Sequence, residues 1–378
     1  MKVLHVITDL QQGGAEAMLE KLIRTSAALT PQVVHEVVSL RSLGVVGPRL
    51  LAAGVPVTAL GMGRPLASLR ALGRLWGILR RQPTATVVQT WLYHADLFGG
   101  TLARLAGRRH VFWNLRVAFH RPDFRRGTYL VLKLCAALSR LVPQRIVNCG
   151  PVVLASHVAE GYASERCVVI GNGFELDRLG VKPGTRERVR AALGVAEDAL
   201  LIGTVARLHP QKDFPTLARG AAQLARQVPR ARFLWVGAGV DSDPALAALL
   251  QRLGLTDRFI RLGLRQDVPE LLSALDVFCM ASRSEGFPNA LGEAMACALP
   301  CVSTDAGDAA FLLGARTWIV PVGSPPALAD ALERMAGLPE DERRRLGVQN
   351  RARITAEFSV EQAWMRYLDL YRTSLPTV

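Results

Sequence analysis

No two of the six cysteines, Cys135, Cys149, Cys167, Cys279, Cys297 and Cys301, are spaced as a CxxC pair, and most lie in apolar runs. That argues against a dithiol redox centre, a zinc ribbon or a secreted disulfide scaffold, and reduced, packed thiols are expected. Long apolar runs are missing too. No window of roughly eighteen uncharged apolar residues occurs, the length a membrane-crossing helix needs; the nearest approach, residues 127–142, is broken by Lys133 and Arg140. Between Lys2 and Asp9 lie only six uncharged residues, too few for the apolar core of a secretory leader, so a cytoplasmic protein is expected. Low-complexity segments and short repeats are absent. Lysine is scarce, with five in the chain.

What remains is a chain of 378 residues and 41.0 kDa, half of it hydrophobic and 21% charged. Such a composition builds a sizeable core, and the length suggests two domains. Lys and Arg total 46 against 32 Asp and Glu, a net charge of +14, which suggests an anionic partner. The excess is lopsided. Residues 1–180 carry 22 basic and 10 acidic side chains, whereas residues 181–378 carry 24 and 22.

Short β-branched runs alternate with longer helical patterns along the whole chain, the signature of parallel sheets covered on both faces. Strands are expected at 3–8, 33–40, 87–90, 110–114, 145–149 and 167–170, with a first helix at 16–29. After a Gly- and Pro-containing stretch at 171–184 the pattern restarts. Strands are expected at 200–206, 232–236, 259–262, 277–280, 301–303 and 318–320, and helices at 215–227, 244–253, 268–274, 290–298 and 327–335. A final helix is expected at 359–371. The fold class is thus α/β, with two doubly wound domains in tandem.

Ligands of open parallel sheets bind beyond the carboxyl ends of the strands, so the loops after the strands carry the candidates. The most informative runs from Ser284 to Met295: Glu285 precedes a helix start at Pro288 and Asn289, Asn289 reads as the N-cap, and Glu293 lies one turn inside. Free first-turn amides suit an anion and carboxylates suit sugar hydroxyls. Solvated charges near a helix start are the plainer alternative. Next is the segment from Gly203 to Asp213, where Arg207 ends a strand and Lys212 follows five residues later. Two cations there suit a diphosphate; a surface pair between Lys212 and Asp213 is the alternative. Gly13 and Gly14 open the first helix and let backbone approach a ligand, although GxGxxG is lacking and a plain turn would look the same. His94 and Arg116 follow two N-terminal strands. Asp241-Ser242-Asp243 spells a DxD metal pattern, but Asp243 before Pro244 reads better as an N-cap, and no metal is expected.

Taken in order, these segments resemble the family 4 retaining glycosyltransferases of GT-B fold (glycosyl transferases group 1). The resemblance runs nearly end to end. Its carriers are Gly13-Gly14-Ala15-Glu16, Ile170-Gly171-Asn172-Gly173-Phe174, Arg207 with Lys212, the Glu-x7-Glu pair Glu285 and Glu293, and Asp305-Ala306-Gly307. The resemblance implies two Rossmann-like domains facing across a cleft: an acceptor-binding domain at 1–175, a nucleotide-sugar-binding domain at 176–358, and a helix at 359–378 crossing back. It implies a nucleoside-diphosphate sugar as donor, UDP being the commonest nucleotide, and no cofactor. Arg207 and Lys212 would neutralise the diphosphate, Glu293 hold the ribose, and Glu285 meet the transferred sugar beside the Gly286-Phe287-Pro288-Asn289-Ala290 backbone. Gly13 and Gly14 would approach the phosphate. Two departures stand out. A His usual among relatives is absent near Phe112-Trp113-Asn114-Leu115, leaving Arg116 or His94 as stand-ins, and Phe311 occupies a place often held by Glu.

The basic excess suggests a site for the acceptor. Arg64, Arg70, Arg74, Arg80 and Arg81 interleave with Leu66, Leu69, Leu72, Leu75, Trp76 and Leu79, as in a helix lying on an anionic membrane; a helix packed on its own sheet is the alternative. A second basic stretch spans Arg121 to Arg145 with Arg125, Arg126 and Lys133. A peripheral enzyme acting on a glycan or polyprenyl-linked acceptor for surface polysaccharide is the expectation. Nucleic acid is not expected, since no recognised module accompanies the charge. A GT-B epimerase or phosphorylase, or a silent donor-binding scaffold, are the alternatives.

Overall fold

The computed structural model describes residues 1–63, 65–120, 125–180 and 182–375, the side chain of Pro65 excepted. Arg64 and Arg121 of the expected basic stretches lie outside them. The chain forms two compact units: residues 1–173 with 360–378, and residues 174–359.

The first unit runs β1 (Lys2–Ile7), α1 (Gly14–Leu29), β2 (Val34–Ser39), α2 (Val46–Ala52), β3 (Val57–Ala59), α3 (Pro65–Arg81) and β4 (Val87–Trp91). It continues with α4 (Thr101–Leu105), β5 (Val111–Leu115), α5 (Arg126–Leu138), β6 (Arg145–Asn148), α6 (Pro151–Ala159) and β7 (Cys167–Val169). All seven strands pair in parallel, in the order β3-β2-β1-β4-β5-β6-β7. Every residue of β4 and β5 is buried, as expected for strands sandwiched between helix layers. The order reverses between β1 and β4, so their outgoing loops leave toward opposite faces and part at the carboxyl edge.

The second unit repeats the plan with α7 (Thr185–Ala192), β8 (Leu200–Val205), α8 (Phe214–Gln227), β9 (Ala231–Val236), α9 (Pro244–Arg252), β10 (Phe259–Leu262), α10 (Val268–Ser273) and β11 (Val277–Met280). Then come α11 (Asn289–Ala296), β12 (Cys301–Thr304), α12 (Ala309–Leu313), β13 (Ile319–Val320), α13 (Pro325–Gly337) and α14 (Glu340–Glu357). Its sheet is parallel in the order β10-β9-β8-β11-β12-β13, with the reversal between β8 and β11.

The last helix, α15 (Val360–Ser374), belongs to the first unit. It buries Trp364, Tyr367, Leu368 and Tyr371, one helical stripe at spacings of three and four. Each aromatic also finds a polar partner. Trp364 Nε1 donates to Thr30 Oγ1 at 3.0 Å, Asn114 Nδ2 donates to the Tyr367 hydroxyl at 2.9 Å, and the Tyr371 hydroxyl donates to Gln89 Oε1 at 2.9 Å.

Thr30 closes a buried chain. Trp91 Nε1 reaches His5 Nδ1 at 3.2 Å, His5 Nε2 reaches His35 Nδ1 at 3.0 Å, His35 Nε2 reaches Ser26 Oγ at 2.8 Å, and Ser26 meets Thr30 at 3.3 Å. The indole can only donate, so His5 must carry its proton on Nε2, and His35 in turn must carry its own on Nε2. Both rings are therefore neutral. Burial, with the neighbouring His35, holds His5 well below its usual range, and burial lowers His35 to about 4.

Eight elements have no counterpart in the sequence reading: α2, β3, α4, α5, α6, α7, α12 and α14. Helix α14 buries Arg343, Gly347 and Ile354 and offers no apolar stripe to read. Five cysteines are buried and Cys167 is half-buried; burial pushes the Cys279 and Cys297 thiols up to about 12. Among the described residues, no helix is long and apolar enough to cross a membrane.

Candidate functional site

In the second unit the loops after β8 and β11 meet at the point of reversal. Lys212, in a short 3-10 turn before α8, forms an ion pair with Glu285 Oε1 at 2.5 Å. The pair is mostly covered, with 24% of the lysine side chain and 11% of the glutamate exposed. Ser282 Oγ donates to the same carboxylate oxygen at 2.7 Å, and Thr304 Oγ1 donates to the Ser282 carbonyl at 2.6 Å. Arg207, just past β8, is exposed and makes no hydrogen bond or ion pair with any described residue. The alternative pairing of Lys212 with Asp213 does not form. Asp213 instead caps α8 through Thr216 and accepts from Arg283 Nε at 2.7 Å. Burial opposes ionisation of Asp213, but the bonds from Arg283 and Thr216 outweigh it and hold the carboxyl below its ordinary range.

Two glycines make room for these loops. Gly307 has φ +56°, and a Cβ there would strike the Glu285 and Gly286 carbonyl oxygens. Asp308 N donates to the Gly286 carbonyl at 3.1 Å, so the Asp305-Ala306-Gly307 loop braces the Glu285 loop from below. Gly237 has φ +155°, and a Cβ there would overlap the Ala206 carbonyl beside Arg207 N.

Helix α11 begins at Asn289 with Pro288 as its N-cap, and no side chain caps it. This corrects the reading of Asn289 as the cap: the chain turns helical one residue earlier, which leaves Asn289 inside the first turn and its side chain out of the capping position. Phe287 is 5% exposed and packs between Phe174 and Phe358, with ring centroids 6.3 and 5.9 Å away. It anchors the loop and presents only its backbone. Gly286, Pro288 and Ala290 complete the segment, and Glu293 is half-buried in the second turn. Phe311 lies edge-on to Phe358 at 5.6 Å, extending the same aromatic group. Asp243 caps α9, accepting from Leu246 N at 2.6 Å.

In the first unit, Gly13 and Gly14 are exposed at the start of α1, and no side chain caps that helix. Glu16 folds back over Gly13; burial raises its carboxyl, a bond to its own amide opposes this, and Asp9 adds to it. His94 follows Leu92, whose φ of +70° places a bulky side chain in the left-handed region, a conformation that costs about 1–3 kcal/mol and clusters at functional positions. A π-helical turn, Ala95–Gly100, comes next. His94 is half-buried, and burial followed by the charge of Arg41 lowers it from its usual value. Arg116 is a different case. It is 8% exposed, donates to the Ile170 carbonyl at 3.2 Å, to Asn172 Oδ1 at 2.9 Å and to the Tyr367 hydroxyl, and stacks on Trp91 and Tyr367. It is a strut under α15, not a side chain offered to a ligand.

The pairing of Arg283 with Asp213 and the glycine braces escaped the sequence reading. Only the chain's return from β11 brings residues 213 and 283 together. Arg207, Lys212, Glu285 and the α11 start share one sheet edge. Two cations, a carboxylate and an uncapped helix end there can hold a diphosphate and a polyhydroxyl group side by side.

The chain is similar to known glycosyltransferases. Residues 199–337 match the family model described as glycosyl transferases group 1. The putative glycosyltransferase EpsF of Bacillus subtilis is 28% identical over 322 residues, 80% of this chain and 79% of that protein. The UDP-Gal:alpha-D-GlcNAc-diphosphoundecaprenol alpha-1,3-galactosyltransferase of Escherichia coli is 25% identical over 240 residues, 63% of this chain; the chain spans 62% of that protein's length. In fold, the crystal structure of Anabaena Alr3699/HepE in complex with UDP superposes with a TM-score of 0.86 at 21% identity, covering 99% of this chain and 100% of that one.

Proposed function

We propose that the chain is a group 1, family 4-like glycosyltransferase of GT-B fold, and that it moves a hexosyl or N-acetylhexosaminyl group from a UDP-sugar to a glycan or lipid-linked acceptor, with retention and without a metal. The observation that supports this reading is the Lys212–Glu285 ion pair at the reversal point of the second sheet, with Arg207 just past β8 on the same edge.

In this reading Arg207 and Lys212 bind the diphosphate, the α11 start assists, and Glu293 holds the ribose. The ion pair keeps Lys212 aimed. When phosphate oxygens take over Lys212, Glu285 turns to the hydroxyls of the transferred sugar. The bond from the anomeric carbon to phosphate oxygen then breaks and its electron pair stays on the diphosphate. Fixed cations there stabilise the separated charge more than the ground state. The acceptor oxygen bonds the anomeric carbon on the same face, and its proton passes to the departing phosphate. No group beyond the donor itself is required.

Association with an anionic membrane belongs to the same proposal. Helix α3 buries Ala71, Leu75 and Leu79, so part of the expected stripe packs on its own unit. Leu66 and Leu69 are 64% and 67% exposed beside the exposed Arg70 and Arg74, and these support docking of this helix. In the second stretch Leu130 is exposed near Arg125 and Arg126, whereas Lys133 is committed to Glu160.

The test is thermal shift against UDP-, GDP- and ADP-sugars, then product analysis with membrane extract. A shift with UDP-sugars and a new α-linked product are expected, and EDTA should leave the rate intact. No shift with any nucleotide sugar would sink the proposal.

A further inference from the structure

A cavity of about 290 Å³ opens at the reversal point of the first sheet, between the loops after β1, β2, β3 and β4 and the start of α3. Its polar lining is Thr8, Arg41, Ser68 and His94; its walls are Leu40, Met62, Leu72 and Phe98. No carboxylate lines it among the described residues. The Thr8 hydroxyl is buried and has no hydrogen-bond partner among the described residues. Arg41 is exposed, and its guanidinium, like the His94 ring, makes no hydrogen bond or ion pair with a described residue. The strained backbone at Leu92 and the π-helical turn after His94 fix this rim.

Resting on the glycosyltransferase reading, we propose that this cavity is the acceptor subsite, and that it selects an acceptor in which an apolar group adjoins an oxyanion: Arg41 takes the anion, Thr8 and His94 take hydroxyls, and Met62, Leu72 and Phe98 cover the apolar part. Each unsatisfied group here matches one part of such a ligand. A buried hydroxyl without a partner carries a desolvation cost that a ligand removes, and an arginine facing no carboxylate is placed to fork onto an oxyanion. A pocket that holds Arg41 and no carboxylate among its described lining residues disfavours cationic acceptors. Leu72 and Ser68 line the cavity from the same helix that exposes Leu66 and Leu69, so an apolar tail has a continuous path from the α3 surface to the anion.

The oxyanion has two sources, a phosphoryl group of a lipid carrier or a carboxylate of an acidic sugar. Titration calorimetry on the full chain separates them with farnesyl diphosphate and octyl glucuronide, using farnesol and octyl glucoside as neutral controls. At least one anionic probe should bind, and Arg41→Met should weaken it tenfold or more while leaving the neutral probes and the unliganded melting temperature unchanged. Met62→Gln should weaken every probe severalfold. The better anionic probe identifies the source. If neither anionic probe binds, or if Arg41→Met leaves their affinities unchanged, the subsite is wrong. UDP-sugar binding, measured in parallel, is expected to survive both substitutions. Its absence in the wild type would overturn the glycosyltransferase reading, whereas Arg41-dependent probe binding would still support the subsite.

Discussion

Lys212 and Glu285 neutralise each other at 2.5 Å, which keeps both side chains in place at the expense of a competition the donor must win. Removing either partner leaves the other poorly compensated. Lys212→Ala and Glu285→Ala should each slow transfer tenfold or more, a barrier change of about 1.4 kcal/mol or above, with circular dichroism unchanged. Wild-type rates in both variants would remove these residues from the mechanism. Gly307→Ala tests the brace: its left-handed φ and the Glu285 and Gly286 carbonyls leave no room for a methyl group. Nucleotide-sugar affinity should drop at least tenfold while the first unit stays folded by hydrogen exchange. The sequence made the Glu285–Glu293 spacing and the Arg207–Lys212 segment legible because strand-end loops advertise polar residues locally. It could not reveal that Asp213 serves Arg283, or that Arg116 serves Tyr367, because those pairings cross 70 and 251 positions.

Helix α15 and the histidine chain beneath it set a pH dependence. Unfolded histidine titrates near 6.5, whereas the buried His35 titrates at about 4 and His5 is also strongly depressed. Below pH 6.5 the unfolded state therefore binds protons that the folded state refuses. Stability falls as pH drops from 6.5 toward 4 and levels off for His35 below that. The His35 difference alone amounts to about 3 kcal/mol. Urea midpoints at pH 7.5 and 4.5 should show the loss, and His35→Gln should flatten much of it; parallel curves would refute the linkage. At this scale the sequence was informative wherever a short run was rich in β-branched and aromatic residues, as in β4 and β5. It failed for α14, where charge surrounds the helix, and for β3, only three residues long.

The two units answer acid differently. His5 and His35 lie in the first, while Asp213, with its carboxyl held low by Arg283 and Thr216, lies in the second. A depressed carboxylate stabilises above its unfolded value and loses that effect only as pH falls through the folded one. Hydrogen exchange across pH 7 to 3 should thus show the first unit loosening before the second; the reverse order would contradict the assignment. Membrane docking is likewise a property of the whole molecule: co-sedimentation with anionic vesicles should be salt-sensitive and weakened severalfold by Arg70→Gln with Arg74→Gln, and its absence would restrict α3 to packing. The bond from Trp364 to Thr30 spans 334 positions, and this bears on how the protein is made. At about 5–20 residues per second, the ribosome has held Thr30 for roughly a quarter of a minute to a minute before Trp364 is added. The second unit can close as its last strands emerge, but the first, begun earlier, waits with its aromatic seat for α15 uncovered. A nascent chain stalled before Val360 is consequently the species most in need of a chaperone.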